Sequence, residues 1–285
     1  MRLVSPLPKG WFPVKCTVCD SEAVVFDPEM NLYRCDRCGH TFTKLPQDAR
    51  EKFGAEYYED SHKNWFDHPN IPLFARAAAA VEKYRGAQAV ALLDVGCGRG
   101  DFLKWLHAKR PNWKLTGLDL SPNDLGDIPF IQGDVFDAQL KDKYDVITMF
   151  SLIAHLEDNR PFFARMRTLL NDGGMLVINT FNTDSLIFRI ARTLKKFGLV
   201  SPFQRLYSHH HLQHYSKKSI REVLVRSGFE IVEHQCHNYP VQAVDVPRSN
   251  KLVESLFRGF AGLIFLVSDP IGLGVEHTVV CRPAP

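Results

Sequence analysis

Four cysteines near the start of the chain have metal-ligand spacing. Two residues separate Cys16 from Cys19, two separate Cys35 from Cys38, and fifteen lie between the pairs. Two such knuckles can close four thiolates into a tetrahedron around Zn²⁺. Gly39, just after the second pair, permits the tight turn that aims backbone amides at sulfur. A four-cysteine shell has no position for water or substrate, so the expected role is structural: the ion replaces a hydrophobic core that residues 1–45 lack. His40 is a weaker alternative ligand, and four unrelated thiols or two disulfides are the competing readings.

The second constellation is LLDVGCGRG, residues 92–100, an apolar run that carries Asp94 and then Gly96, Cys97, Gly98 and Gly100 before a helical pattern. A strand, glycine turn and helix in this order bring backbone amides close to a ligand, and a Cβ would obstruct the approach. The spacing is G-x-G-x-G and not the G-x-G-x-x-G of dinucleotide binders, which points to a ligand without a pyrophosphate. Asp119 ends KLTGLDL about 20 residues on, where a carboxylate can accept from both hydroxyls of a ribose. Asp134, in QGDVF after the next strand-like run, can accept from an exocyclic adenine amine. Imidazoles titrate near neutral pH and suit proton acceptance. His155 follows a strand-like run ending at Phe150, and His209, His210, His211 and His214 cluster further along.

Positioning these groups requires alternating elements. Strand-like runs at 90–95, 114–120, 130–132, 144–150, 175–181, 230–236 and 278–282 alternate with helical patterns from 101, over 158–170 and over 216–227, which predicts an α/β, doubly wound sheet. Ser216 is the expected N-cap of the last helix, with Gly228 just beyond its end. Residues 1–45 form a small N-terminal module. Residues 46–88 are expected to be a helical connector and lid with an aromatic cluster of Phe53, Tyr57, Tyr58, Trp65 and Phe66. The main domain covers 89–285 with insertions at 182–215 and 237–275, the expected acceptor-recognition regions.

With 45% hydrophobic and 24% charged residues over 285 positions, the composition describes a folded globular chain and excludes a disordered tail. A formal charge of +3 announces neither nucleic acid nor an anionic membrane. Three prolines and a tryptophan interrupt the N-terminal MRLVSPLPKGWFP, so no export signal is expected. The most apolar stretch, 259–267, is about half of the roughly 20 residues that a transmembrane span needs. Seven cysteines, four of them in close pairs, suit metal binding in a reducing cytoplasm better than secreted disulfides. The segment 252–267 is apolar nearly all round, as a core or interface helix or as a greasy wall for an apolar or lipid-linked acceptor. Arg189, Arg192, Lys195 and Lys196 form a basic helical patch able to meet a phosphate.

LLDVGCGRG, KLTGLDL and QGDVF together resemble class I S-adenosylmethionine-dependent methyltransferases, over about residues 89–236 with a closing strand near 276–282. The resemblance implies a seven-stranded Rossmann-like sheet whose last strand, HTVVCR, is antiparallel. It implies cofactor contacts by Asp94, Gly96, Cys97, Gly98, Gly100, Asp119, Leu120, Asp134, Val135 and Phe150. FSLIAHLEDNRPFFARM is similar to the family segment that ends beside the transferred methyl group. His155 and Asp158 match it, whereas Ala154 stands where ubiquinone-type O-methyltransferases often carry glutamate, which argues against metal-assisted chemistry. HHHLQHYSKKSIREVLVRSGFEI also resembles a segment of these enzymes. His155, His211 and His214 are the candidate bases, and Cys97 is expected to be only a small residue of the turn.

The implied function is methyl transfer to a small-molecule or glycan-type acceptor, with oxygen as the favoured nucleophile, in a cytoplasmic tailoring or biosynthetic pathway with structural zinc. One alternative is an rRNA or tRNA base methyltransferase that grips RNA with the zinc ribbon. Against it, Arg34, Arg37 and Lys44 are offset by Asp20, Glu22, Asp27, Glu29 and Asp36. The other alternative is a non-catalytic scaffold that binds the cofactor.

Overall fold

A computed structural model describes residues 14–44, 67–86, 88–140, 142–208, 211–244 and 251–285. The chain begins with an antiparallel meander of β1 (Val14–Lys15), β2 (Glu22–Asp27), β3 (Leu32–Cys35) and β4 (Thr41–Thr43). Helix α1 (Ile71–Arg85) follows; the Asn70 side chain caps its start by accepting from the Leu73 N–H, and Gly86 ends it at φ 73°. Then come β5 (Ala91–Val95), α2 (Asp101–Lys109), β6 (Lys114–Asp119), β7 (Phe130–Gln132), β8 (Tyr144–Phe150), α3 (Asn159–Leu169) and β9 (Leu170–Phe181). The remainder is α4 (Leu186–Lys196), α5 (Ser201–Leu206), β10 (Gln213–His214), α6 (Lys217–Arg226), β11 (Phe229–His237), a 3₁₀ turn at Val241–Ala243, α7 (Lys251–Ser268) and β12 (Glu276–Pro283).

Seven strands form the main sheet in the order β11-β12-β9-β8-β5-β6-β7. The five from β9 to β7 are parallel neighbours, and β12 inserts antiparallel between β9 and β11. The expected antiparallel closing strand is therefore present. Alternating side chains bury both faces, so the strands read as continuous apolar runs. Leu92, Val146, Val177 and Val280 pack beneath α1 and α2 through Phe74, Ala77, Phe102 and Leu106. Leu93, Ile147, Ile178 and Val279 face α3 and α6 through Phe162, Met166, Ile220 and Leu224. Ser216 caps α6 in a reciprocal capping box with Ser219. Within β9 a glycine-containing stretch loops out: β8 pairs Tyr144 with Leu170 and then Val146 with Met175, so residues 171–174 are skipped.

The aromatic cluster Phe53, Tyr57, Tyr58, Trp65 and Phe66 lies outside the described residues, as do His209 and His210. The described part of the connector, α1, is helical as expected and packs on the sheet, with Leu73, Phe74, Ala77, Ala78, Ala80 and Val81 buried. The N-terminal meander is stitched to the insertion at 182–215. Its β4 pairs with β10, Phe42 opposite Gln213 and Thr41 opposite His214. Leu32 packs in one cluster with Phe188, Phe203 and Tyr207, and Lys195 pairs with the buried Asp27. That last contact, with Arg192 donating to the Thr183 carbonyl and the Tyr207 hydroxyl and Arg189 to the Asp184 carbonyl, ties three of the four cations of the basic patch into the insertion, while Lys196 stays exposed. Among the described residues no helix is long and apolar enough to cross a membrane.

Candidate functional site

A cavity of about 1750 Å³ opens at the C-terminal ends of the parallel strands, the crevice where such sheets bind ligands. Its floor is the turn from β5 into α2. Gly96, Gly98 and Gly100 have φ of 72°, 51° and 72°, conformations that resist side chains. A Cβ on Gly100 would stand 2.2 Å from Leu125 Cδ2. Gly96 and Cys97 donate their N–H groups to the Leu118 carbonyl, and Gly98 donates to Asp119 Oδ2 at 2.8 Å. Asp119 Oδ1 accepts from the Ser121 N–H at 2.9 Å, so two backbone donors fix this carboxylate at the cavity wall.

The same wall carries Asp94, Leu120, Asp134, Val135 and Phe136. Asp94 is buried and accepts from the Thr148 hydroxyl at 2.6 Å. Burial, reinforced by the charge of Asp119 and opposed by that hydroxyl, pushes Asp94 up to about 7. Burial and the two carboxylates also raise Cys97, whose thiol therefore stays protonated. Asp134 Oδ1 accepts from the Phe136 N–H, and Leu120 and Phe136 remain exposed as two apolar faces. Phe150 stands at the end of β8 with its ring 4.9 Å from Phe102 and 6.4 Å from Phe74.

Beyond Phe150 the cavity passes to the insertions. Ser151 holds a positive φ of 57° while its N–H donates to the Asn179 carbonyl, local strain of the kind that gathers at functional sites. The backbone N–H groups of Leu212 and Gln213 both donate to the Ala154 carbonyl, at 2.7 and 2.9 Å. That fold-back brings His211 beside His155, ring centroids 4.9 Å apart, with Phe181 5.3 Å from His211. His155 and His211 line the cavity and His214 does not. His214 lies buried against Tyr207, its Nε2 without a hydrogen-bond partner; burial, with His40 and His155 nearby, pushes it down to about 3. Ile187, Ile190, Leu194, Phe257, Phe260 and Ile264 complete an apolar roof. Helix α7 thus lines the cavity with apolar side chains, while its outer face leaves Leu252 and Leu266 70% and 73% exposed.

Asn179 is the site residue that the sequence reading missed. Its Oδ1 is buried without a hydrogen-bond partner and the residue lines the cavity. The available signal was the polar ending of an otherwise apolar strand, MLVINTF.

The four cysteines converge as well. All Sγ atoms lie within 4.8 Å of one another, with Cys16 and Cys38 3.6 Å apart and Cys19 and Cys35 3.5 Å apart. Zn–S bonds of about 2.3 Å at tetrahedral angles separate sulfurs by about 3.8 Å, whereas a disulfide needs about 2.05 Å, so the spacing fits a metal shell. The Val18 N–H donates to Cys16 Sγ. His40 points elsewhere: its Nε2 is 2.7 Å from Gln213 Oε1, and burial pushes it down to about 4.

Comparison with known proteins gives the family and the fold. The family described as methyltransferase domain matches residues 57–234. A malonyl-[acyl-carrier protein] O-methyltransferase of Ilyobacter polytropus is 34% identical over 100 residues, covering 32% of this chain and 37% of that protein. A trans-aconitate 2-methyltransferase of Escherichia coli is 29% identical over 117 residues, covering 39% of this chain and 44% of that protein. The chain thus spans less than half the length of these relatives. The structure of the Burkholderia thailandensis 1,6-didemethyltoxoflavin-N1-methyltransferase, with bound 1,6-didemethyltoxoflavin and S-adenosylhomocysteine, has the same fold; the TM-score is 0.52 at 15% identity, covering 93% of this chain and all of that one.

Proposed function

Because the chain belongs to the methyltransferase-domain family, we propose that it transfers the methyl group of S-adenosylmethionine to an oxygen of a small-molecule or glycan-type acceptor that carries an apolar part. The observation that carries this reading is one continuous cavity with the glycine turn, Asp119 and Asp134 at one end and the paired imidazoles of His155 and His211 at the other. Its volume, about 1750 Å³, exceeds the roughly 300–1,000 Å³ of a pocket for one ligand, so two fit end to end.

The cofactor supplies an already activated sulfonium methyl. The protein has to hold the acceptor in line with it and remove the hydroxyl proton. Asp119 would accept from the ribose hydroxyls, Asp134 from the adenine amine, and Leu120 and Phe136 would cover the base. Asp94 would lie beneath the methionine portion. His155 would take the proton of the acceptor hydroxyl, and His211 would orient the acceptor beside it. The roof of α4 and α7 excludes water and selects the apolar part. The four cysteines hold one structural zinc ion. The malonyl and aconitate relatives and the toxoflavin enzyme are named for small-molecule or carrier-bound acceptors, which favours this class over RNA.

Calorimetry and labelling test the proposal. S-adenosylhomocysteine should bind one per chain, and NAD binding equally well would overturn the assignment. In an extract supplied with labelled S-adenosylmethionine, the label should enter the small-molecule or glycan fraction, with a rate nearly flat between about 50 and 200 mM salt. Label found only in RNA, with a steep salt dependence, would replace the acceptor class.

A further inference from the structure

The antiparallel pairing of β11 with β12 assembles a third group of chemically active side chains, outside the cavity and apart from the N-terminal cysteines. Cys236 lies directly opposite His277, and His234 is two residues from Cys236 on the same strand, so all three side chains project from one face. His234 Nε2 is 3.0 Å from His277 Nδ1, Cys236 Sγ is 3.8 Å from that same nitrogen, and the three donor atoms lie within 4.8 Å of one another. None of them lines the cavity.

We propose that His234, Cys236 and His277 form a metal site for a borderline-to-soft d-block cation, Zn²⁺ or Cu⁺. Bonds of about 2.0–2.1 Å to nitrogen and about 2.3 Å to sulfur at tetrahedral angles place two nitrogens about 3.4 Å apart and nitrogen and sulfur about 3.6 Å apart. The two distances from His277 Nδ1 lie within a few tenths of an ångström of these values, and the remaining one, between His234 and Cys236, is no longer than 4.8 Å. The second ring nitrogen of His277 donates to the Tyr215 carbonyl at 3.2 Å, which fixes its tautomer and turns the Nδ1 lone pair toward the cluster.

Without an ion, one of the two facing ring nitrogens donates to the other. On binding, His234 carries its proton on Nδ1, both facing lone pairs go to the metal, and the Cys236 thiol releases its proton to solvent. Lys217 and Arg221 stand near His234, Lys217 and Asp184 near Cys236. Cations at the rim disfavour Mg²⁺ or Ca²⁺ held by charge alone, whereas a thiolate bond favours softer metals. His234 and Cys236 are half-buried, which gives the ion an entry and leaves a fourth position for water.

Co²⁺, a spectroscopic substitute for Zn²⁺, tests the site in the full chain freed of metal. The wild type should take up two equivalents, and the thiolate-to-metal charge-transfer absorption should grow with both. Cys236→Ser should lose the second equivalent and keep the first, and His234→Gln should weaken the second at least tenfold. His234→Gln replaces a half-buried side chain and answers the question if Cys236→Ser does not fold. Uptake that stops at one equivalent in the wild type overturns the proposal. So does a second equivalent that persists in Cys236→Ser, because it would belong to other side chains such as those around His211.

Discussion

At the floor of the cavity the contacts run between neighbouring strands, Gly96 and Cys97 to Leu118 and Gly98 to Asp119, at 2.8–3.1 Å. At the roof they run between residues far apart in sequence: Gln213 Oε1 accepts from the Thr17 hydroxyl and from His40, Gln213 Nε2 donates to the Glu157 carbonyl, and its backbone N–H donates to Ala154. The floor is thus a local device fixed by backbone geometry. The roof depends on the N-terminal meander, which buttresses the segment that carries His211. Damage to the floor should therefore act on cofactor affinity, and damage to the meander or roof on turnover.

The sharpest separation should come from His155→Ala and Asp119→Ala. His155→Ala should lower turnover by about 10²–10⁴-fold and leave S-adenosylhomocysteine affinity within about twofold. Asp119→Ala should weaken that affinity by about 10–100-fold, since a buried hydroxyl pair left without its acceptor costs about 1–3 kcal/mol. Calorimetry beside a methyl-transfer assay reads both. If His155→Ala lost cofactor affinity as strongly as Asp119→Ala, floor and roof would not be separable units.

A smaller effect is expected from the cysteines, and it tests the buttress. Cys35→Ser should release about one zinc per chain, measured by metal analysis, and lower turnover about tenfold with cofactor affinity nearly unchanged. The route is physical: an ion on the four cysteines would close the meander, β4 holds β10, and Gln213 holds Ala154 and Glu157 on either side of His155. Zinc lost with turnover unchanged would show that the meander is an appendage. No zinc in protein purified without chelator would remove the metal from the account.

What the sequence made legible follows the same division. The strands, the antiparallel closure by 276–282 and the floor residues were readable because each depends on a few consecutive residues: continuous apolar runs, an acidic residue ending a strand, glycines at positive φ. The roof was not. β10 is two residues long and pairs with a strand about 170 positions earlier, which no local pattern encodes. The helical spacing of Arg192 and Lys195 showed a basic face but not that Tyr207 and Asp27 cover it. His211 and His214, three residues apart in one run, differ in role because one faces the cavity and the other the core, an outcome of packing. Asn179 was hidden for a related reason, since its residue type does not announce an unpartnered buried atom.

The smallest predicted effect distinguishes a floor that only shapes the cavity from one that also supplies charge. Asp94 is pushed up to about 7, by burial first and then by the charge of Asp119, against the pull of the Thr148 hydroxyl. Its folded value lies above its unfolded value of about 3.9, so its contribution to stability is present at low pH and is lost as pH rises through about 7. The melting temperature of the ligand-free protein should therefore fall from pH 6 to pH 8, by more in the wild type than in Asp94→Asn. Cofactor binding has the opposite sign. A cation beneath the glycine turn favours the ionised carboxylate, so below pH 7 binding must first expel a proton. S-adenosylmethionine affinity should drop by up to about tenfold between pH 7 and pH 6 and level off above pH 8. Cys97 does not contribute over this range because its raised thiol stays neutral. Asp94→Asn should bind more weakly at pH 8 and lose the slope. An equal slope in Asp94→Asn, or a flat profile in the wild type, would leave Asp94 as a hydrogen-bonded strut of the sheet and assign the charge at the floor to Asp119.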